Sequence, residues 1–103
     1  MEKRRHVRQK VEAALAVWGI ASGTRRASRG HCLNLSESGA GAIVSGKWLP
    51  GQVVSMELIL PADMRPMMLQ ARVCHRQNLY CGFEFLGTGE ALISQLRQAC
   101  AST

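Results

Sequence analysis

The sequence predicts a mostly β fold: a small antiparallel β-barrel, preceded by a flexible basic arm and followed by one α-helix. The chain has 103 residues, which suits a single domain. Five or six short apolar segments recur at intervals of about ten residues, separated by Gly, Pro, Asn or Ser, and this spacing is typical of a small barrel. We expect the arm at residues 1–10, the barrel at 11–87 and the helix at 88–101.

The arm, "MEKRRHVRQK", carries dense like charge and is expected to be disordered in isolation. Residues 1–30 contain eight Lys and Arg and two Glu, whereas residues 31–103 contain five basic and five acidic residues. The whole net charge of +6 therefore lies in the first third of the chain. Such a segment favours a phosphate-bearing partner, namely nucleic acid, a nucleotide or an anionic membrane, although a solubilising tail explains it equally well.

The first apolar segment, "VEAALAVWGI", is ambiguous, because its Ala content favours a helix while its alternation favours a strand. We assign it to a strand. The following "SGTRRASRG" is rich in Gly, Ser and Thr and predicts a hairpin loop.

The middle of the chain contains alternating segments bounded by turn residues, which predict further strands. In the clearest of them, "VVSMELILP", Val54, Met56 and Leu58 share one face, and Pro and Gly lie at the ends. The predicted strands lie in "GHCLNLS", "AGAIVSG", "VVSMELILP", "MLQARVCHRQ" and "LYCGFEFL".

The last segment, "TGEALISQLRQAC", predicts an amphipathic helix with Thr88 as N-cap and Glu90 in the first turn. Its apolar face should pack on the barrel, an explanation that we prefer to a groove for a partner. That face comprises Leu92, Ile93, Leu96 and Cys100.

The cysteines and histidines predict neither disulfides nor a metal site. The four cysteines lack C-x-x-C spacing and are expected to be reduced. The pairs His31–Cys32 and Cys74–His75 could meet across adjacent strands, but neighbouring side chains in a strand point to opposite faces.

Other classes of protein are also disfavoured. No apolar run reaches 18 residues, so no membrane span is expected, and no secretory signal is evident, which predicts a cytoplasmic location. The acidic residues of the barrel are scattered, and no histidine lies near a sequence pattern typical of a nucleophile and its base. We therefore expect no enzyme, no catalytic residue and no cofactor.

Two short motifs stand out when their order is considered. Arg4 and Arg8 form R-x-x-x-R ahead of the first strand, and "NLSESG" follows roughly 25 residues later at the end of the second strand. The same arginine spacing recurs at Arg25/Arg29 and Arg72/Arg76, so the spacing alone is uninformative.

In this order the motifs resemble those of the PilZ domain family, and the strands and terminal helix extend the resemblance over nearly the whole chain. The resemblance implies a six-stranded antiparallel barrel and a receptor for the bacterial messenger cyclic dimeric GMP. Only Arg4 and Arg8 match the position of the arginines in the family. The ligand-binding residues that it implies are Arg4, Arg8, Asn34, Ser36 and Gly39.

The chemistry of these residues suits a guanine dinucleotide. A guanidinium fork can bind O6 and N7 of guanine or pair with a phosphate. Asn34 and Ser36 would point to one face if the strand continued that far, and Gly39 would permit a tight turn. Further basic candidates, each explained as well by ordinary surface charge, are Lys3, Arg5, His6, Arg29 and Arg76.

The resulting hypothesis is a sensor whose arm orders over cyclic dimeric GMP and then presents a new surface to an effector protein. One alternative is a divergent PilZ adaptor that binds proteins without the ligand. The other is a basic barrel that binds RNA or single-stranded DNA, which the small number of aromatic residues disfavours.

Overall fold

The computed structural model describes residues 9–21, 23–60, 66–87 and 89–101. It contains six antiparallel strands and one C-terminal helix. The elements are β1 (Gln9–Ala21), β2 (Thr24–Leu35), β3 (Gly39–Val44), β4 (Val53–Ile59), β5 (Pro66–Gln77), β6 (Tyr80–Leu86) and α1 (Glu90–Ala101).

The strands form a closed barrel in the order β1-β2-β3-β6-β5-β4. The barrel closes because β1 pairs with β4 as well as with β2: Ala16, for example, lies opposite both Arg29 and Glu57. Each strand therefore pairs with two neighbours over part of its length, whereas residues 24–29 of β2 pair with β1 alone. The predicted antiparallel barrel is therefore confirmed.

Alternation along the strands builds the core. In β1, Val11, Ala13, Leu15 and Val17 are buried, which explains why this Ala-rich segment is a strand and not a helix. The predicted shared face of β4, with Val54, Met56 and Leu58, is buried as well. So are alternate residues of β5 and β6, namely Leu69, Ala71, Val73, Phe83 and Phe85.

The segment "SGTRRASRG" is not the loop that its composition predicted. Residues from Thr24 onwards belong to β2 and pair residue by residue with β1, from Ala21↔Thr24 to Leu15↔Gly30. The turn is therefore much shorter, because cross-strand pairing with the apolar β1 overrides the weak β propensity of Gly and Ser. Gln9, the first of the described residues, is already paired in β1 and also lies within the predicted arm.

Helix α1 begins at Glu90, where the amide of Ile93 donates to the carbonyl of Gly89 (3.0 Å). Leu96 is fully buried against the barrel and Leu92 packs beside it, as the apolar face predicted. Thr88, the predicted N-cap, lies outside the described residues, as does the side chain of Cys100.

Candidate functional site: the outer face beside the NLSESG turn

The NLSESG motif forms the turn between β2 and β3. β2 ends at Leu35, and the Ser36 amide donates to the Gly39 carbonyl (2.9 Å). The Ser36 hydroxyl accepts from the amides of Ser38 and Gly39 (3.2 Å each) and is 1% exposed. Ser36 therefore holds the turn together.

This geometry separates Asn34 from Ser36. The two side chains were expected on one face only if the strand continued, and it stops between them. Asn34 is half-buried, whereas Ser36 is buried within its own turn. The alternation rule applies to extended backbone alone, so it does not reach Ser36.

Asn34 belongs to a row of paired residues that crosses five strands. It is paired with Lys10 of β1 and with Gly41 of β3. Gly41 is paired with Gly82 of β6, and Gly82 with His75 of β5. Paired residues share a face of the sheet, so the row lies on the outside of the barrel. We call this row, together with Tyr80, the outer-face site.

The two facing glycines make room for aromatic rings. A Cβ placed on Gly41 would lie within 2.0 Å of the Tyr80 hydroxyl and 2.9 Å of Asn34 Nδ2. A Cβ on Gly82 would lie within 2.9 Å of the His75 ring. The rings of His75 and Tyr80 stack with centroids 5.5 Å apart. The glycines thus let an aromatic pair and an amide lie close against the backbone.

Irregular pairing helps to place this row on the outer face. The register shifts between Cys32 and Asn34 on β2, and between Val73 and His75 on β5. Each shift adds one residue to its strand, so Asn34 and His75 face outward although Cys32 and Val73, two positions earlier, are buried. The outward orientation of Asn34 and His75 could not be predicted from the sequence, because it depends on how the strands pair.

Among the residues predicted to bind ligand, Asn34, Ser36 and Gly39 lie together at the turn and the adjoining strand ends. Arg4 and Arg8, as well as Lys3, Arg5 and His6, lie outside the described residues. Gln9 pairs with Leu35 and Lys10 with Asn34, so the chain enters β1 beside the NLSESG turn.

The two basic candidates among the described residues, Arg29 and Arg76, do not adjoin the NLSESG turn. Arg29 is exposed on β2, paired with Ala16, about 17 Å along the strand from Asn34 at 3.3 Å per residue. Arg76 directly follows His75 on β5, but it pairs with Cys81, and its side chain is held at the end of β3 away from the turn. Its Nε donates to the Asn78 carbonyl (2.8 Å) and its Nη2 to the Val44 carbonyl (3.3 Å).

Tyr80 and His75 were not predicted as site residues. Their local sequence contains no motif that identifies them as site residues. Their place in the site follows from the pairing of Gly41 with Gly82, which arises from the barrel topology. Lys10 was assigned to the arm and is in fact the member of the row contributed by β1.

The cysteines of the described segments are thiols without disulfides: Cys32 and Cys81 are buried and Cys74 is exposed. Burial raises the pKa of the Cys81 thiol, and the nearby charge of Arg76 opposes that effect in part. Within the described ranges, no group of three His, Cys, Asp or Glu side chains could hold a metal ion.

The turn also contacts the helix. Glu37 accepts a hydrogen bond from Arg97 of α1 (2.9 Å). The arginine is largely exposed, so this ion pair contributes little to stability. Within the described part of the chain, no helix is long and apolar enough to span a membrane.

The family model of the PilZ domain matches residues 2–102. A search of the curated proteins found no match.

Solved structures share the fold at low sequence identity. The PilZ domain with c-di-GMP of YcgR from Escherichia coli aligns with a TM-score of 0.79 and 16% identity, covering 98% of this chain and 91% of that one. YcgR in complex with c-di-GMP from Escherichia coli gives 0.77 and 18%, covering 98% of this chain and 46% of that one. The PilZ domain of CeSA from a cellulose-synthesizing bacterium gives 0.69 and 17%, covering 93% and 96%.

Proposed function

Because the chain belongs to the PilZ domain family, whose model matches residues 2–102, we propose that it is a non-enzymatic receptor for cyclic dimeric GMP. The observation that carries the proposal is the outer-face site. It combines the family's NLSESG turn with an exposed cation, a half-buried amide and an aromatic pair on one surface of the barrel.

The side chains of this site match the chemistry of a guanine dinucleotide. The amide of Asn34 offers both a donor and an acceptor to a guanine edge. The Tyr80–His75 pair offers a surface on which a base can stack, a contact worth about 1 to 3 kcal/mol per base. Lys10 supplies positive charge for a phosphate.

Ser36 and Gly39 have a supporting role in this proposal. The Ser36 hydroxyl donates to the Gly39 carbonyl and accepts from the amides of Ser38 and Gly39. Ser36 therefore fixes the backbone from which Asn34 projects. Gly39 closes the turn through its amide and carbonyl.

Arg4 and Arg8 supply the clamp. Arg8 immediately precedes Gln9, and Arg4 lies five residues before Gln9, so an extended chain places Arg4 at most about 17 Å from the start of β1. Both arginines can therefore reach a nucleotide on the outer-face site. We propose that the arm orders on binding and then presents a surface to an effector protein.

Calorimetric titration with cyclic dimeric GMP tests this proposal. The wild type should bind saturably, and Arg4→Ala, Arg8→Ala and Asn34→Ala should each lose about 1 to 3 kcal/mol, or roughly 5- to 150-fold in affinity. Arg25→Ala is the matched control, because Arg25 is exposed, has an arginine four residues later, and pairs with Ile20 far from Asn34.

A loss smaller than twofold in both arm variants would contradict the clamp. GTP and a short oligonucleotide serve as competing ligands. Failure to bind any nucleotide would favour the ligand-free adaptor. Binding of the oligonucleotide alone, with a steep salt dependence, would favour a nucleic-acid protein.

A further inference from the structure

The barrel has a concave surface at the end of β3 away from the NLSESG turn. The turn precedes β3 and the β3–β4 loop follows it, so the six residues of β3 separate them by about 20 Å. At that end lies a cavity of about 540 Å³. We call it the mouth pocket, lined by Lys47, Trp48, Leu49 and Gln52 of the loop and by Ile20 and Arg76 of the strands.

The mouth pocket is built into the fold. Trp48 is 1% exposed, and its indole nitrogen donates to the Ser28 hydroxyl and the Ser45 carbonyl, both at 3.1 Å. The Gln52 side chain donates to the Ile20 carbonyl (2.6 Å) and accepts from the Leu49 amide (3.2 Å). These bonds fix the loop before any partner arrives, which lowers the entropic cost of binding.

The rim of the pocket is apolar and exposed. Ile20 and Leu49 are 66% and 64% exposed, and Val53, at the start of β4, is 50% exposed. Adjacent large apolar side chains at this exposure are typical of an interaction surface. The apolar rim extends beyond the cavity. A small ligand enclosed in the cavity would leave this rim exposed.

The charge of the pocket has one sign. Lys47 and Arg76 are cationic, and none of its described lining residues is acidic. Nη1 of Arg76 is buried and makes no hydrogen bond in the described structure, and Arg76 forms no ion pair with a described residue. Arg76 is half-buried, and a half-buried cation without a counter-charge favours an anionic partner. Arg26 adds to this charge, since it shares a face of β2 with Ser28.

We propose that the mouth pocket docks an acidic amphipathic segment of a partner protein. An apolar side chain of the segment enters the pocket over Trp48 and between Ile20 and Leu49, while flanking carboxylates face Lys47 and Arg76. The concave shape favours a peptide over a lipid surface, because membrane binding needs apolar side chains that protrude into the bilayer. Nucleotide binding at the outer-face site is not required for this docking.

Selection from a display library of random 12-residue peptides on the immobilised full chain tests the proposal. We expect enrichment of peptides that combine Asp or Glu with Leu, Ile, Phe or Trp. Synthetic copies of the enriched peptides should bind the wild type saturably in fluorescence anisotropy. Leu49→Asp and Lys47→Glu should each weaken that binding tenfold or more.

Met68→Asp is the matched control, because Met68 is 54% exposed on β5 and does not line the pocket. It should change peptide affinity less than twofold, and all three variants should keep the circular dichroism spectrum of the wild type. No enrichment, enrichment of basic peptides, or equal binding to Leu49→Asp would overturn the proposal. Binding to phosphatidylglycerol vesicles without any peptide binding would also overturn it, and would identify a membrane surface.

Discussion

At the scale of single residues, glycine decides where the outer-face site can exist. Gly41 and Gly82 face each other across β3 and β6, and their missing side chains make room for Tyr80 and His75. Gly30 serves another purpose. A Cβ at Gly30 would lie 2.3 Å from the backbone oxygen of Ile43, so this glycine permits close packing of β2 on β3.

Substitution by alanine should separate these two roles. Gly30→Ala forces backbone apart and should cost about 2 kcal/mol or more in the free energy of unfolding. Gly41→Ala displaces side-chain ends, those of Tyr80 and Asn34, and no backbone, so it should cost less while weakening cyclic dimeric GMP binding. Urea denaturation and calorimetry of both variants measure the two effects. Equal destabilisation, or unchanged nucleotide affinity in Gly41→Ala, would contradict this assignment.

At the scale of elements, the β2–β3 turn connects the site to the rest of the fold. Ser36 closes the turn with its hydroxyl, and Glu37 reaches Arg97 of the helix. The turn therefore sets the position of Asn34 relative to the helix and the barrel.

Removing the Ser36 hydroxyl should test this role. Ser36→Ala leaves the Gly39 amide without its acceptor in a buried position, which should cost about 1 to 3 kcal/mol of stability. Asn34→Ala removes a half-buried side chain outside the core and should reduce nucleotide affinity while costing less stability than Ser36→Ala. Thermal unfolding and titration distinguish the two variants. A Ser36→Ala protein as stable as the wild type would show that the turn does not need the hydroxyl.

At the scale of the whole molecule, the closed barrel is stabilised by more hydrogen bonds and buried side chains than the helix. Every strand is hydrogen-bonded on both sides, and side chains from all six strands fill the core. Helix α1 has 12 residues and, among those described, buries only Leu96 fully. A helix of that length is marginal without packing.

Hydrogen exchange should resolve this difference. Amides of α1 should exchange about tenfold or more faster than those of β1, β3 and β6, because the helix can open without unfolding the barrel. Leu96→Ala should accelerate exchange in α1 further, with a smaller effect on the strands. Uniform protection across helix and strands in NMR-detected exchange would indicate a single cooperative unit instead.

The fold could largely be predicted from the sequence because alternation is a local signal. The inner faces of β1, β4 and β5 follow from residues two positions apart, and the helix from residues three and four apart. The prediction of a loop at "SGTRRASRG" was wrong, because this segment becomes a strand through pairing with β1 and not through its own composition.

The sequence by itself determined the inner faces of β1 and β4, the terminal helix and the NLSESG turn, since each depends on near neighbours in the chain. Only the tertiary structure decided that Lys10, Asn34, Gly41, Gly82 and His75 form one row. It also decided that the side chain of Arg76, the residue after His75, is held at the end of β3 away from the turn. Those placements depend on strand order and on shifts of pairing register. Register is set by contacts between residues far apart in sequence, and a shift of one residue moves a side chain to the opposite face.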